Sequence, residues 1–217
     1  MTPSEIINRT KDFVKHQLEN AEGGHDWFHT QRVLRNSLHI ARQEQIDTFV
    51  VSLGALLHDI ADSKFHQGDE TIGPQVAREF LHSLNVDLDV INHVVNIIEN
   101  ISYKGGNFEQ SFKSAELDVV QDADRLDALG AIGIARCFNY GGFKNRKLYD
   151  PEITPNLNMS KTEYKNSTAP TLNHFYEKLL LLKDKMNTET GRQLAEQRHQ
   201  FMENYLEQFF SEWNGEK

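Results

Sequence analysis

The chain has 217 residues and a formal net charge of −9, with 38% hydrophobic and 25% charged residues. This composition is typical of one soluble globular domain and excludes a fibrous or disordered chain. The acidic balance without a basic run argues against duplex nucleic acid as a partner, and the single Cys137 excludes an intrachain disulfide or a thiolate metal cluster.

The first predicted helix begins with a strong capping signal. Thr2 has the position of an N-cap, Pro3 lies in the first turn and Glu5 follows three residues after the cap. Apolar residues then recur at helical spacing, and we expect the helix to end near Glu22 and the glycine pair that follows it.

The next two predicted helices carry the residues of greatest chemical interest. The second covers about residues 26–44 and has His29 in its first turns. The third covers about residues 48–61 and is apolar almost all round, so we expect it in the middle of a helical bundle. The neighbours His58 and Asp59 lie on its predicted last turn.

The rest of the chain continues in helices. Ile72, Val76, Phe80 and Leu84 recur every four residues, which predicts a helix with one buried face. Small residues within 128–135 predict tight helix packing. Further helices are predicted at about 88–98, 115–139, 175–186 and 194–213, with loops at 63–68, 101–114 and 140–170.

The predicted fold class is therefore all-α, as a single-domain helical bundle spanning residues 1–217 with a long ordered loop at about 140–170. No apolar run approaches the roughly 20 residues that cross a bilayer, and the N-terminus lacks the apolar core of a signal peptide. We expect no membrane partner and a cytoplasmic protein.

Four residues on three predicted helices are candidate metal ligands: His29, His58, Asp59 and Asp124. Helical bundles build metal sites from such facing positions. Two imidazoles and two carboxylates suit Mn, Fe, Co, Ni or Zn, and Mg is also compatible. Each residue also has an ordinary structural explanation, as a capping residue or a solvated charge, so only the combination is informative.

The ordered pattern of His29, His58-Asp59 and Asp124 resembles the HD-domain superfamily of metal-dependent phosphohydrolases. Four segments are similar to its small bacterial YedJ/YpgQ type: GHDWFH at 24–29, LLHDIADSK at 56–64, DADRLDA at 122–128 and GAIGIAR at 130–136. The resemblance covers most of the chain. It implies an HD-type helical bundle, one catalytic metal ion and hydrolysis of a phosphate ester or anhydride.

The resemblance assigns the metal to His29, His58, Asp59 and Asp124, with manganese as the expected ion. Asp122 competes with Asp124 for the last position, and Asp124 is preferred because the family motif places the ligand before a basic residue. A divalent ion acidifies water and polarises a phosphoryl oxygen. The expected substrate is a small phosphorylated metabolite, and the family likeness favours a nucleotide.

Further residues are predicted to assist catalysis. Asp62 follows His58 by four positions and would share its helical face if the helix continued, so we assign it proton transfer, with orientation of His58 as the alternative. Lys64, Arg125 and Lys104 are predicted to bind phosphate. His25 is predicted to bind substrate or to cap its helix.

Two other functions stay open: a non-catalytic nucleotide or metal sensor, and a two-metal oxygenase of the HD type. The latter would need extra histidine ligands, but His82 and His93 lie outside the apolar stripes of their helices, which favours surface roles. Tyr140, Phe143 and Tyr149 near the long loop could stack on a base or simply pack. The oligomeric state is open, including a homodimer.

Overall fold

The structure is a computed structural model, and it describes residues 1–19, 26–60, 69, 71–101, 111–160, 163 and 166–217. The regular elements of these residues are helical, which confirms the all-α prediction. The helices are α1 Pro3–Gln17, α2 Trp27–Glu44, α3 Thr48–Leu57, α4 Ile72–Ser83, α5 Leu88–Asn100, α6 Ala115–Asp127, α7 Gly130–Phe143, α8 Asn173–Glu177 and α9 Glu189–Trp213, with 3₁₀ turns at Leu179–Leu181 and Lys183–Lys185.

Close contacts divide the chain into two compact units, Met1–Asp124 and Arg125–Lys217. The boundary falls within α6, after Asp124. A single domain over residues 1–217 therefore stays a prediction. In the part of the chain that the structure describes, no helix combines the length and apolar character needed to cross a membrane.

The start of α1 follows the sequence signal. The Thr2 hydroxyl accepts a hydrogen bond from the Glu5 backbone N–H, and the Glu5 carboxylate accepts one from the Thr2 N–H at 2.7 Å. This capping box satisfies two helix-end donors. The helix ends at Gln17, before the predicted end near Glu22. The predicted glycine break at 23–24 lies outside the described residues.

Helix α3 is central to the first unit. Every residue from Val50 to Leu57 is buried, and α3 packs against α1, α2 and α5. At Gly54 an added Cβ would lie 3.2 Å from the Ile97 side chain, so the glycine permits close packing on α5. The predicted central position is confirmed, although the helix ends at Leu57 rather than near residue 61.

Helix α4 buries a different stripe from the one that the sequence suggests. Its fully buried residues are Gly73, Pro74, Ala77 and Leu81, whereas Ile72, Val76 and Phe80 are half-buried. Small residues allow α4 and α5 to approach, and the larger apolar side chains flank the contact. Phe80, for example, stacks on Phe13 with ring centroids 3.9 Å apart.

The long helix predicted at 115–139 is two helices, so that prediction is wrong. Leu129 is extended, with φ −116° and ψ 159°, and Gly130 has φ +68°. A positive φ is costly for residues with a Cβ, so Gly130 permits the break. Close packing at the predicted small residues is confirmed at Gly130, where an added Cβ would lie 3.1 Å from the Arg198 side chain.

In the second unit α7 packs against α9. Backbone hydrogen bonds join the beginning and the end of the connection after α7. The Thr171 N–H donates to the Lys147 carbonyl at 2.9 Å, and the Leu172 N–H donates to the Leu148 carbonyl at 3.0 Å. The continuous helix predicted at 175–186 is instead α8 followed by the two 3₁₀ turns.

Candidate metal centre

His29 is placed by the start of α2. The Asp26 carboxylate caps this helix and accepts a hydrogen bond from the His29 backbone N–H at 2.8 Å. The cap fixes the first turn and with it the direction of the imidazole. The His29 side chain is 2% exposed, so its ring lies in the interior of the first unit.

His58 is the C-terminal cap of α3, directly after the buried run of that helix. Its Nδ1 lies 2.9 Å from the Ala55 carbonyl oxygen. A carbonyl can only accept, so Nδ1 of the neutral ring carries the proton and Nε2 has a free lone pair. This contact orients the ring in the way that backbone carbonyls orient metal-binding histidines.

The two imidazoles lie side by side in the first unit, and each of the two candidate carboxylates approaches them. Nε2 of His58 and Nε2 of His29 are 3.3 Å apart. The Asp124 Oδ1 lies 3.5 Å from the His29 Nε2 and 4.0 Å from the His58 Nε2. Asp59 joins the histidines in a group whose ligand atoms all lie within 4.8 Å of one another.

These distances fit a transition-metal ion. Two nitrogens bound at about 2.1 Å lie about 3.0 Å apart at a right angle and about 3.4 Å apart at a tetrahedral angle. The observed 3.3 Å between the histidine nitrogens falls between these values. Both distances from Asp124 are below the limit of about 4.2 Å for atoms on opposite sides of one such ion.

The centre is buried on one side and accessible on the other. The His29 and His58 side chains are 2% and 4% exposed, whereas that of Asp124 is 38% exposed. Asp59 is half-buried. The imidazoles therefore lie against the protein interior, and solvent reaches the carboxylates.

The distances favour Asp124 over Asp122 as the last ligand. Both acids lie on α6, but Asp122 is completely buried, while Asp124 approaches both imidazoles. Two residues on a helix differ by about 200° in direction because each residue turns the helix by about 100°. The two carboxylates therefore leave α6 on nearly opposite sides.

Four of the predicted catalytic and substrate-binding residues lie outside the described residues: His25, Asp62, Lys64 and Lys104. The helical-spacing argument for Asp62 loses its premise, because α3 ends at Leu57 and residues 58–60 form a turn. Any role of Asp62 in proton transfer now rests on the resemblance alone.

Arg125, the remaining predicted phosphate-binding residue, has a backbone contact. One of its guanidinium N–H groups donates to the Lys185 carbonyl, and the side chain is half-buried. A guanidinium has five N–H donors, so this contact does not exhaust its capacity.

Cys137 and the additional histidines have other roles. Burial raises the pKa of the Cys137 thiol to about 12, which keeps it protonated at neutral pH. The His93 Nε2 lies 2.9 Å from the Ser114 hydroxyl and 3.3 Å from a Glu116 carboxylate oxygen. His82 is exposed at the end of α4.

The orienting contact of His58 was absent from the sequence-based predictions. The Ala55 carbonyl lies three residues before His58, which is the usual reach of a side chain back to the preceding helical turn. A histidine at a helix C-terminus is therefore a signal for such a contact, but sequence cannot tell which ring nitrogen makes it.

Three comparisons with known proteins identify the family of the chain. Residues 27–129 match the HD domain family. The chain is 37% identical over 201 residues to the Bacillus subtilis protein YpgQ, covering 91% of this chain and 89% of YpgQ.

Solved structures extend the similarity over almost the whole chain. An HD-superfamily hydrolase from Bacillus thuringiensis is 45% identical, with a TM-score of 0.79, and the match covers 98% of this chain and 99% of that one. The structure of Bacillus subtilis YpgQ in complex with ADP matches with 34% identity in the structural alignment and a TM-score of 0.77, over 98% of this chain and 97% of YpgQ. The chain therefore belongs to the HD-domain superfamily and has the fold of its hydrolases.

Proposed function

We propose that this protein is a metal-dependent phosphohydrolase that acts on a small phosphorylated metabolite, with nucleoside phosphates as the substrate class. The observation that carries the proposal is the approach of the His29 and His58 Nε2 atoms to 3.3 Å, with the Asp124 carboxylate beside both. Lone-pair donors at such distances suit a shared cation.

His29, His58, Asp59 and Asp124 would hold one divalent ion, for which we propose manganese. When bound, such an ion supplies Lewis acidity toward a phosphoryl oxygen and makes water more acidic. The donor set is also compatible with Fe, Co, Ni, Zn and Mg.

Residues of the chain orient the proposed metal ligands and leave one side of the centre open to substrate. The Ala55 carbonyl holds the proton on Nδ1 of His58 and so keeps Nε2 available as a donor. The buried imidazoles exclude water from one side, and the half-exposed Asp124 leaves the other side open to substrate. Preorganised groups of this kind need little rearrangement when charge develops.

Proton transfer and phosphate binding remain parts of the proposal. Asp62 is the proposed proton carrier, with Lys64, Lys104, Arg125 and His25 as the proposed phosphate-binding residues. Positive side chains would offset the charge of a phosphorylated substrate in a protein of net charge −9. The preference for nucleotides is supported by the relative YpgQ, which has been crystallised in complex with ADP.

The test combines metal content with product analysis. Purified protein is loaded with Mn²⁺, metal per chain is measured, and phosphate and pyrophosphate release are followed with a panel of nucleotides. We expect one metal per chain, hydrolysis of at least one nucleotide by the wild type and no turnover by Asp59→Ala. His82→Ala is the matched control, because it removes an exposed histidine outside the centre.

Three outcomes would contradict the proposal. Nucleotide binding without release of phosphate or pyrophosphate would indicate a sensor. Two metal ions per chain would indicate a two-metal enzyme such as an oxygenase. Unchanged hydrolysis by Asp59→Ala would remove the metal centre from the reaction.

A further inference from the structure

A cavity of about 460 Å³ lies between the C-terminal end of α7 and the connection that follows it. Three cationic residues line it: Lys144, Arg146 and Lys147. Among the described residues the lining contains no carboxylate, and its other polar members are asparagines, hydroxyl residues and Tyr140. A cationic pocket is notable in a chain with a net charge of −9.

Two of the three cations, Lys144 and Arg146, lie near aromatic rings. The Lys144 ammonium lies 4.9 Å from the centroid of the Phe143 ring and 5.6 Å from that of Tyr140. The Arg146 guanidinium also lies 5.6 Å from the Tyr140 centroid. These are cation–π distances, so the rings position the charges. Because Tyr140 already contacts two cations, the pocket suits an anion better than a stacked base.

A hydrogen bond to the backbone also restrains the Arg146 side chain. Its Nη2 donates to the Ser167 carbonyl at 2.5 Å. This contact uses one of the five guanidinium N–H donors, and a planar guanidinium fixed at one corner presents its other donors in a defined direction. Such a fork matches the oxygen atoms of a phosphate group.

The charges in the pocket match one phosphate group. The Lys147 ammonium contacts the Asp150 carboxylate at 2.7 Å, which offsets one of the three cations. The charges of Lys144 and Arg146 then amount to +2. A phosphate monoester carries about −1.5 to −2 near neutral pH, so its charge complements this pair.

The imidazole of His174, in the same unit, is kept neutral. Burial first, and then the charges of Lys178 and Arg146, lower the pKa of His174 to about 3. The imidazole is therefore neutral at physiological pH and adds no charge of its own.

The negative end of the α7 dipole is an alternative explanation for cations here. The last turn of α7 contains no basic residue, however, and its final carbonyls accept from backbone N–H groups. Lys144 N–H donates to Tyr140, Asn145 N–H to Gly142 and Arg146 N–H to Gly141, at 2.9, 3.0 and 2.9 Å. The helix end is satisfied by the backbone, so the cationic side chains are not needed for that purpose.

We propose that the pocket of Lys144, Arg146 and Lys147 is a binding site for the phosphate group of a small ligand. Its residues all belong to the unit Arg125–Lys217, and none is in the predicted metal-ligand set. The proposal therefore does not require the metal centre to function.

The test is a titration of the full-length, ¹⁵N-labelled chain with Mg²⁺ present, followed by NMR. Inorganic phosphate, AMP and adenosine are added separately, and the backbone amides of Lys144, Arg146 and Thr168 are monitored. We expect saturable shifts with phosphate and AMP and none with adenosine. Tighter binding of AMP than of phosphate would identify a nucleotide as the source of the group, and equal binding would identify free phosphate.

Variants separate this pocket from the metal centre. Lys144→Gln should weaken phosphate binding about 5-fold, because it removes one close charge. Arg146→Lys should weaken binding despite the retained charge, because the fork is lost. Lys15→Gln is the matched control, since it removes an exposed lysine on α1. His58→Ala should leave the phosphate shifts at the pocket unchanged.

Two results would overturn the proposal. The first is the absence of saturable shifts at these amides with either phosphate or AMP. The second is phosphate binding that Lys144→Gln leaves unchanged or that His58→Ala abolishes. The amide spectra of each variant verify that it is folded.

Discussion

Two acids on α6, three residues apart, have opposite environments. Asp127, in the second unit, has a side chain only 2% exposed, and one of its oxygens lies 2.8 Å from the Arg136 Nη1. Asp124, in the first unit, is 38% exposed and lies beside the nitrogens of His29 and His58. One carboxylate pairs with a cation of the chain, and the other lies beside two imidazole nitrogens.

The contrast separates a structural acid from a candidate ligand. A buried carboxylate paired with a guanidinium is satisfied within the fold, so the pair is costly to break. A carboxylate beside two imidazole nitrogens gains a further partner when a cation binds. In the second unit the Arg136 guanidinium offsets the charge of Asp127. In the first unit Asp124 lies where a bound cation would contact it.

The largest expected effect concerns Asp124. Loss of residues that merely orient metal ligands costs 10–100-fold in metal affinity or activity, so Asp124→Ala should lower metal affinity by more than about 100-fold. Asp122→Asn, which keeps the shape of a fully buried side chain, should retain one metal per chain. Metal titration with a competing chelator measures the metal affinity of both variants. Retention of metal by Asp124→Ala and loss by Asp122→Asn would reverse the assignment.

Removal of Asp127 should lower the stability of the protein and leave its metal content unchanged. Asp127→Ala removes this carboxylate from the partly exposed Arg136 guanidinium, and loss of a hydrogen bond between charged groups costs about 1.5–3 kcal/mol. Urea denaturation measures the loss, and metal content should stay at the wild-type value. Glu189→Gln, which breaks an exposed pair with Arg192, should change stability little. A loss of metal in Asp127→Ala would erase the distinction between the two acids.

The half-buried His174 should make the second unit sensitive to acid. Its folded pKa of about 3 lies below the usual value of 6.5 because burial disfavours the charged ring. Between these values the unfolded chain binds more protons, so the free energy of unfolding falls as pH decreases from about 6.5 toward 3. The slope reaches about 1.4 kcal/mol per pH unit for one group.

Denaturation curves across this range, compared with those of His174→Gln, isolate the contribution of the imidazole. The variant should have a shallower dependence on pH, whatever its stability at neutral pH. An equal slope in both proteins would show that His174 is not kept neutral by its surroundings.

The smallest effects are expected from two glycines of α7. Gly130→Ala should destabilise the protein by about 1–2 kcal/mol, because φ is +68° and the new Cβ would lie 3.1 Å from the Arg198 side chain. Gly142→Ala has open space, and alanine favours helix by about 1 kcal/mol. The midpoint temperatures of thermal denaturation should therefore shift in opposite directions, down for Gly130→Ala and up for Gly142→Ala. A stable Gly130→Ala would show that the break after α6 does not need glycine.

Local signals predicted helix starts better than helix ends. The capping box of Thr2 and Glu5 and the start of α2 near Asp26 depend on neighbouring residues and were predicted, although Asp26 itself was not identified as the cap. The end of α3 at Leu57 and the break before Gly130 were not, because apolar pattern continues through both. Where a helix stops is decided by packing and by the backbone of the next turn, which periodicity does not record.

The burial of individual side chains was predicted less well than helix type. On α4 the small residues Gly73, Pro74 and Ala77 are fully buried, and larger apolar side chains beside them are half-buried. On α9, Phe201 and Trp213 are each 51% exposed, although both belong to the apolar pattern. Hydropathy identifies an apolar side chain, but the distance between neighbouring helices decides which side chains fit.

The sequence by itself determined the helical class, the absence of a thiolate metal cluster and the set of candidate ligands, because composition, periodicity and residue order encode them locally. Only the tertiary structure decided how those ligands meet. It placed the Asp124 carboxylate beside the nitrogens of His29 and His58, and it set the His58 tautomer through the Ala55 carbonyl. Distances between residues far apart in sequence arise from helix packing, which no local pattern specifies.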